Sequence, residues 1–210
     1  MTYSVKEIFY TLQGEGANTG RASVFCRFSG CNLWSGLEKD RSTAICQFCD
    51  TDFVGTGGEN GGKYRTPQNL VAVIESLWPS NATNRFIVCT GGEPLLQLDA
   101  PLIDCLRGAG FEIAVETNGT IEAPNNIDWI CVSPKADAQL KQCQGDELKL
   151  VYPQQMAKPE RFQDLEFTHR YLQPMDNPEY EKNLAGTMAY CRANPEWKLS
   201  LQTHKILNIP

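Results

Sequence analysis

The sequence predicts an α/β fold, a partial (β/α) barrel with about six core parallel strands and a reduced set of about three helices. Two observations favour this fold. Short β-branched and apolar segments alternate with segments of helical periodicity, and the strands outnumber the helices by about two to one. Right-handed crossovers between sequential parallel strands curl such a sheet into part of a barrel. A strand extension at the N-terminus and a long inserted loop complete the predicted architecture.

Length and composition indicate the number of domains and exclude some classes of protein. The chain has 210 residues, of which 41% are hydrophobic, and its formal net charge is −6. We expect one domain over 1–210, with the barrel core at 22–210 and the inserted loop at 31–65. No apolar run is long enough to cross a bilayer, we expect no signal peptide because no apolar stretch follows the first residues, and the acidic balance argues against nucleic-acid binding.

The N-terminal part is predicted to contain two strands, a long loop and one helix. β-branched and aromatic residues recur over 4–12 and 22–29, with glycines between the two segments. The polar, glycine-rich segment 32–65 is predicted to be a long loop with regular structure only locally. Thr66 and Pro67 are typical of a helix start, and apolar residues follow at helical spacing until Leu77.

The rest of the chain alternates between strands and helices. The apolar run 86–89 is typical of a buried parallel strand, and residues 98–109 keep helical spacing up to Gly110. A further helix is predicted over 178–193. The remaining predicted strands are 112–116, 129–133, 147–151, 170–173 and 198–201.

Cysteine is the most informative residue type, because nine are present without an export signal. Cys31, Cys46 and Cys49 are separated by fourteen and then two residues. A structural zinc site would need a fourth ligand from farther away, such as Cys143 or His169. A four-iron, four-sulfur cluster on three thiolates would leave one iron open to substrate. Spacing alone leaves both alternatives open.

The other cysteines have simpler interpretations. Cys26 shares strand register with Val24 and Phe28, which predicts an apolar environment. The strand cysteines at 89 and 131 and the helix cysteines at 105 and 191 are expected to be small buried groups, whereas Cys143 is expected to be exposed.

Two further features suggest a ligand site, each with an alternative. Arg27 lies on the opposite strand face to Phe28, so its guanidinium either binds an anion such as a substrate carboxylate or emerges at the strand end. The pair Gly91 and Gly92 after a buried strand allows close approach of a ligand, but a structural turn needs the same residues.

Eight ordered segments carry a resemblance to a known family. They include Thr-Leu-Gln-Gly-Glu-Gly at 11–16, Cys-Gln-Phe-Cys-Asp-Thr at 46–51 and Thr-Gly-Gly-Glu-Pro at 90–94; the others are 27–31, 116–119, 133–135, 173–176 and 201–205. Together they resemble the radical S-adenosylmethionine enzymes and, within that superfamily, the 7-carboxy-7-deazaguanine synthase family, nearly end to end. One departure is clear: the superfamily usually has three residues between its first two cysteines, and the extra stretch here is 35–45.

The resemblance implies a reaction. Cys31, Cys46 and Cys49 would hold a 4Fe-4S cluster whose fourth iron binds S-adenosylmethionine. Reductive cleavage would give a 5′-deoxyadenosyl radical that takes a hydrogen from 6-carboxy-5,6,7,8-tetrahydropterin. The ring then contracts, ammonia leaves, and 7-carboxy-7-deazaguanine forms on the route to queuosine and other 7-deazapurines.

The resemblance also implies site residues and partners. The S-adenosylmethionine site would contain Phe48, Gly92, Glu93, Ser133, Lys135, Gln173 and Asp176. The pterin site would contain Leu12, Gln13, Gly14, Arg27, Thr90 and the terminal carboxylate at Pro210, with Glu116 and His204 as weaker candidates. Thr51 would bind Mg²⁺. The resemblance also implies a cytoplasmic homodimer that receives electrons from a donor such as flavodoxin.

Two alternatives stay open beside this function. The first is another radical enzyme with a different substrate, such as an activase that makes a glycyl radical on a protein. The second is a zinc-binding module without catalysis, which metal analysis would separate from both enzymes.

Overall fold

The structure is a computed structural model that describes residues 2–80 and 82–210. Met1 and Asn81, which fall inside the range predicted as one domain, lie outside the described residues.

One twisted sheet organises the molecule. Its strands are β1 Tyr3–Leu12, β2 Ala22–Phe28, β3 Gly62–Tyr64, β4 Phe86–Gly91, β5 Glu112–Thr117, β6 Trp129–Val132, β7 Gln144–Tyr152, β8 Glu166–Pro174 and β9 Lys198–Leu199. Within the described residues the strand order is β3-β1-β2-β4-β5-β6-β7-β8-β9. β2 and β4 to β9 run parallel in sequence order, whereas β1 pairs antiparallel with both β2 and β3. The predicted partial barrel and its N-terminal strand extension are therefore confirmed.

The helices are α1 Pro67–Leu77, α2 Ala100–Gly108, α3 Tyr180–Ala193 and the short α4 Thr203–Leu207. The Thr66 hydroxyl accepts a hydrogen bond from the Asn69 amide and caps α1, as the Thr-Pro pair predicts. Asp99 caps α2 in the same way, by accepting from the Leu102 amide. No described helix is both long enough and apolar enough to cross a membrane.

Several predicted boundaries were wrong for local reasons. α2 begins at Ala100 rather than 98, because Pro94–Leu96 forms a separate 3₁₀ turn and Asp99 provides the cap. Regular structure within 32–65 is local, as predicted: Glu38–Thr43 forms a 3₁₀ turn, and Gly62–Tyr64 forms β3 beside β1. β7 and β8 extend toward their N-terminal ends beyond the predictions, since their polar residues still pair, starting with Gln144 and Glu166.

The apolar core lies on the helix side of the sheet. One cluster packs β1, β2, β4 and β5 against α1 and α2, and a second packs β7 and β8 around Trp197. Cys26 and Cys89 belong to the first cluster, Cys131 is also buried, and Cys143 is exposed, so these cysteine predictions are confirmed. The inner face of the barrel carries polar side chains together with apolar ones such as Phe25. Arg27 and Thr90 lie side by side on β2 and β4 there.

Candidate active site

A cavity of about 370 Å³ opens at the carboxyl ends of the parallel strands. Arg27, Thr90, Glu116, Lys149 and Gln173 line it from the parallel strands β2, β4, β5, β7 and β8, and the following loops complete the wall. The position is the usual one for a site in a (β/α) barrel, and the volume is within the range of small-molecule sites.

The cavity wall brings together the predicted site residues of the described chain, with the exception of Glu93. Those present are Leu12, Gln13, Gly14, Arg27, Cys31, Cys46, Phe48, Cys49, Thr51, Thr90, Gly92, Glu116, Ser133, Lys135, Gln173, Asp176, His204 and Pro210. Segments far apart in sequence therefore meet at one surface, which spacing arguments could not establish.

Glu93 is fully buried behind this wall, and its contact with a ligand stays a prediction. Its carboxylate accepts hydrogen bonds from the Leu95 amide at 3.0 Å, the Thr117 hydroxyl at 2.8 Å and the Asn118 amide at 2.8 Å. Burial raises the pKa of this fully buried carboxyl group, although the three hydrogen bonds oppose the shift. Glu93 ties the end of β4 to the end of β5.

The glycine pair has a structural explanation. A Cβ atom on Gly92 would lie 2.0 Å from the carbonyl oxygen of Gly30, and Gly91 has a positive φ of 123°. The close approach lets the Gly92 amide donate to Phe28 at 3.1 Å and the Glu93 amide donate to Gly30 at 2.9 Å. These contacts hold the loop that carries Cys31.

The three spaced cysteines share one side of the cavity. Cys31 follows β2, whereas Cys46 and Cys49 close the inserted loop, and all three are free thiols. The Cys46 amide donates to the Leu33 carbonyl at 3.3 Å, which connects the two ends of the insertion. Burial raises the pKa of the Cys31 and Cys46 thiols, so metal binding would release protons.

A buried charge network also lies at the cavity. The Lys149 ammonium lies 2.7 Å from the Glu15 carboxylate and 3.4 Å from that of Glu116. Burial alone would raise the pKa of Glu15, but the Lys149 charge, with hydrogen bonds from Lys149 and Gln202, lowers it to about 2. Glu15 also accepts from Gln173 at 3.1 Å. The network therefore links the predicted substrate loop to β7, β8 and the C-terminal segment.

Comparison with known proteins identifies the family. No family model matches the chain. A 7-carboxy-7-deazaguanine synthase from Caulobacter vibrioides is 62% identical over 210 residues, and the alignment covers 100% of each chain. A protein of the same name from Burkholderia multivorans is 60% identical over 210 residues, again with 100% of each chain covered. The chain belongs to the 7-carboxy-7-deazaguanine synthase family.

A solved member of the family has the same fold. The crystal structure of QueE from Escherichia coli superimposes with a TM-score of 0.69 at 27% identity, covering 96% of this chain and 94% of that one. The predicted fold class and the predicted radical S-adenosylmethionine family are both confirmed by these relatives.

The donor set fits the iron–sulfur cluster of a synthase in this family better than it fits a single ion. Among the described residues, no group of three His, Cys, Asp or Glu side chains is arranged to hold one metal ion. Cys143 is exposed, and His169 stacks on Trp129 with ring centroids 5.7 Å apart, so neither serves as a fourth zinc ligand. Three thiols around one open cavity instead match a larger cluster that keeps an accessible iron.

Two predicted residues have partners within the chain. The Nε atom of Arg27 donates to the Glu7 carboxylate at 2.8 Å, so part of its guanidinium is neutralised in the absence of any ligand. Asp176 forms an ion pair with Lys205, whose Nζ atom also contacts Asp50 at 2.8 Å. That pair bridges the cluster loop and the end of β8 at the mouth of the cavity.

Lys149 and Glu15 are the site residues that sequence reasoning missed. Lys149 stands between Leu148 and Leu150, and strand alternation places it on the opposite face from those two core residues. A lysine in the middle of a buried strand was a usable signal, since such a charge requires acidic partners. Nothing in the sequence named Glu15 and Glu116 as those partners.

The low pKa of Glu15 predicts a pH dependence of stability. A carboxylate whose pKa falls on folding contributes stability above its unfolded-state value, near 4.5, and loses it as the pH falls toward 2. We expect Glu15→Gln to lower the free energy of unfolding by on the order of 2 kcal/mol at pH 7, with the deficit shrinking below pH 4.5. Urea unfolding from pH 7 to pH 3 measures this, with the exposed Glu122→Gln as control. A deficit independent of pH would contradict the account.

Proposed function

We propose that this protein is a radical S-adenosylmethionine enzyme that converts 6-carboxy-5,6,7,8-tetrahydropterin into 7-carboxy-7-deazaguanine with loss of ammonia. One observation carries the proposal. The three cysteines and the polar residues predicted to bind substrate line the same cavity, in a chain that belongs to the 7-carboxy-7-deazaguanine synthase family. The relatives do not favour the glycyl-radical activase or the zinc module.

Cys31, Cys46 and Cys49 would hold the cluster. When bound, the cluster and S-adenosylmethionine supply a hydrogen-abstracting radical through one-electron reductive cleavage. The chain supplies the surrounding wall. The Lys135 ammonium donates to the Ser133 hydroxyl at 2.9 Å and lies 5.7 Å from the centre of the Phe48 ring. This contact joins the loop after β6 to the cluster loop and supports a cofactor site between them.

The other side of the cavity suits an anionic pterin. Arg27 offers the terminal nitrogens of its guanidinium beside Thr90, which is the donor pattern that a carboxylate requires. Glu116 accepts a hydrogen bond from the Gln13 amide group at 3.0 Å and from Lys149, and these contacts would orient its carboxylate as an acceptor for ring N–H groups. The chain thus orients the substrate and excludes water.

Arg27→Ala tests the substrate side. We expect kcat/KM for the carboxypterin to fall about 10- to 100-fold, the loss typical of removing a hydrogen-bonded charge. Binding of S-adenosylmethionine should change little. Steady-state kinetics and an S-adenosylmethionine binding assay measure the two effects, with Arg107→Ala, an α2 residue paired to Asp128, as control. Unchanged turnover of the carboxypterin would instead indicate another substrate.

The decisive test of the function is product analysis. Anaerobically reconstituted protein is incubated with S-adenosylmethionine, a reductant, Mg²⁺ and the carboxypterin, and the mixture is examined by mass spectrometry. We expect 7-carboxy-7-deazaguanine and 5′-deoxyadenosine. Cleavage of S-adenosylmethionine without pterin conversion would support a different radical enzyme, and zinc without iron would support the non-catalytic module.

The family resemblance extends the proposal to partners. Thr51 lies in the cavity wall, and its hydroxyl would bind Mg²⁺ there. One neutral hydroxyl binds Mg²⁺ weakly, so substrate oxygens and water must complete the coordination, and binding of Mg²⁺ should depend on the presence of substrate. We also propose a homodimer in the cytoplasm, reduced by a donor such as flavodoxin.

A further inference from the structure

We propose that Arg41, in the inserted stretch 35–45, is a positioning residue that orders the segment 46–49 before the cluster binds. The proposal rests on the cluster site proposed above and assigns a purpose to the insertion. The insertion lengthens the chain between the first two cysteines to fourteen residues, and a longer flexible loop costs more entropy to close. A contact that closes the loop in the metal-free protein would offset part of that cost.

Arg41 makes this contact through both ends of its guanidinium. Its Nε atom donates to the two carboxylate oxygens of Glu38 at 2.9 and 2.8 Å. Its Nη1 atom donates to the carbonyl oxygen of Gln47 at 3.0 Å and to that of Cys49 at 3.1 Å. Arg41 therefore binds the backbone on either side of Phe48, within the segment that carries two of the three cysteines.

The guanidinium is also fixed by an aromatic face. Its central carbon lies 4.1 Å from the centre of the Trp34 ring, and Trp34 is buried edge-on against Phe53, with ring centroids 5.6 Å apart. The Trp34 indole donates to the carbonyl of Leu37 at 3.2 Å. A planar, five-donor group suits this combination of stacking and forked hydrogen bonds, and a lysine ammonium does not reproduce it.

Two backbone contacts reinforce the same arrangement. The Gln47 side-chain amide donates to the Ser42 carbonyl at 3.1 Å, and the Cys46 amide donates to the Leu33 carbonyl at 3.3 Å. Hydrogen bonds are therefore donated from the insertion to the cysteine segment and from the cysteine segment to the insertion. Arg41 also places a positive charge beside the thiolate site, and a nearby cation stabilises the more negative, reduced form of an iron–sulfur cluster.

The test compares Arg41→Gln, which removes both the positive charge and the forked hydrogen-bond donors, with Arg41→Lys, which keeps only the positive charge. Lys39→Gln removes a matched charge from the exposed surface of the same turn. We expect amide hydrogen exchange at 46–49 in the metal-free protein to rise about tenfold in both Arg41 variants, as for a lost charged hydrogen bond. Iron loss to a chelator should accelerate in parallel, and only Arg41→Gln should shift the reduction potential to a more negative value.

Exchange and iron-loss rates equal to those of the wild type and Lys39→Gln would overturn the proposal. Because exchange is measured without metal, this result is independent of the enzymatic activity. Failure of the wild-type protein to convert the carboxypterin would overturn the proposed function and leave the loop measurement standing. A circular dichroism melt identifies any global unfolding of Arg41→Gln, in which case Arg41→Lys, which keeps the charge but removes the forked donors, provides the same test.

Discussion

Replacement of Cys46 by alanine is expected to eliminate the iron–sulfur cluster and to reduce product formation below detection. Cys46 is one of three thiols on the cluster side of the cavity, and two thiolates do not retain a cubane cluster that already lacks a fourth protein ligand. We therefore expect this variant to lose the whole cluster, not merely to bind it more weakly. Iron and sulfide analysis, together with the visible absorption of anaerobic protein, measures it.

Cys191→Ser is the matched control. Cys191 lies on α3 and packs against the second core cluster, away from the cavity wall. We expect this variant to keep about four irons per chain and to bleach on reduction as the wild type does. If Cys191→Ser lost the cluster while Cys46→Ala retained it, the ligand assignment would be wrong.

The second large effect is expected for Lys149→Met. The lysine is buried, and its removal leaves the carboxylates of Glu15 and Glu116 close together without a compensating charge. Breaking a buried ion pair by removing one partner costs about 3 to 5 kcal/mol. Displacement of Glu15 would also release its contacts with Gln173 and Gln202, so kcat/KM should fall about 100-fold or more.

The charge explanation makes the stability of Lys149→Met depend on pH. Without the Lys149 charge, burial disfavours the ionised form of the Glu15 carboxylate, so the deficit relative to the wild type should shrink as the pH falls and this group becomes protonated. Urea unfolding at pH 7 and pH 4 measures the free energy of unfolding at each pH. The exposed Lys182→Met, which breaks a surface pair with Glu179, should change little.

A double variant separates charge from packing in this network. If the charge imbalance causes the deficit, Lys149→Met combined with Glu15→Gln should be more stable than Lys149→Met alone at pH 7. Strictly additive losses, or a deficit of Lys149→Met that is the same at both pH values, would contradict the charge explanation and indicate a packing defect.

The fold was largely predictable because its elements carry local signals. Thr66 with Pro67 marked the start of α1, and the apolar run at β4 is typical of a strand buried on both faces. β3 and α4 were not predicted, since each has too few residues for a periodic pattern and forms only where another part of the chain supplies a partner. Gly14 provides one for α4 by accepting hydrogen bonds from Thr203.

The candidate site was predictable as a set of segments, but side-chain direction was not. Glu93 follows the glycine pair, where strand alternation no longer applies, and its carboxylate turns toward Thr117 instead of the cavity. The role of Lys149 was missed because it depends on a contact with Glu15, a residue 134 positions away in sequence. The position of Arg41 over Trp34 depends in the same way on the fold of the insertion.

The central claim is that three cysteines bind a cluster with one iron left for S-adenosylmethionine. Reduced protein is mixed with S-adenosylmethionine carrying ¹⁵N in its amine and ¹⁷O in its carboxylate, and electron–nuclear double resonance is recorded on the cluster signal. The account predicts hyperfine coupling to both labels, with the coupling absent in Cys46→Ala together with the cluster itself. A four-iron cluster that forms in the wild type but shows no coupling to either label would mean that a protein side chain fills the fourth position, and would contradict the account.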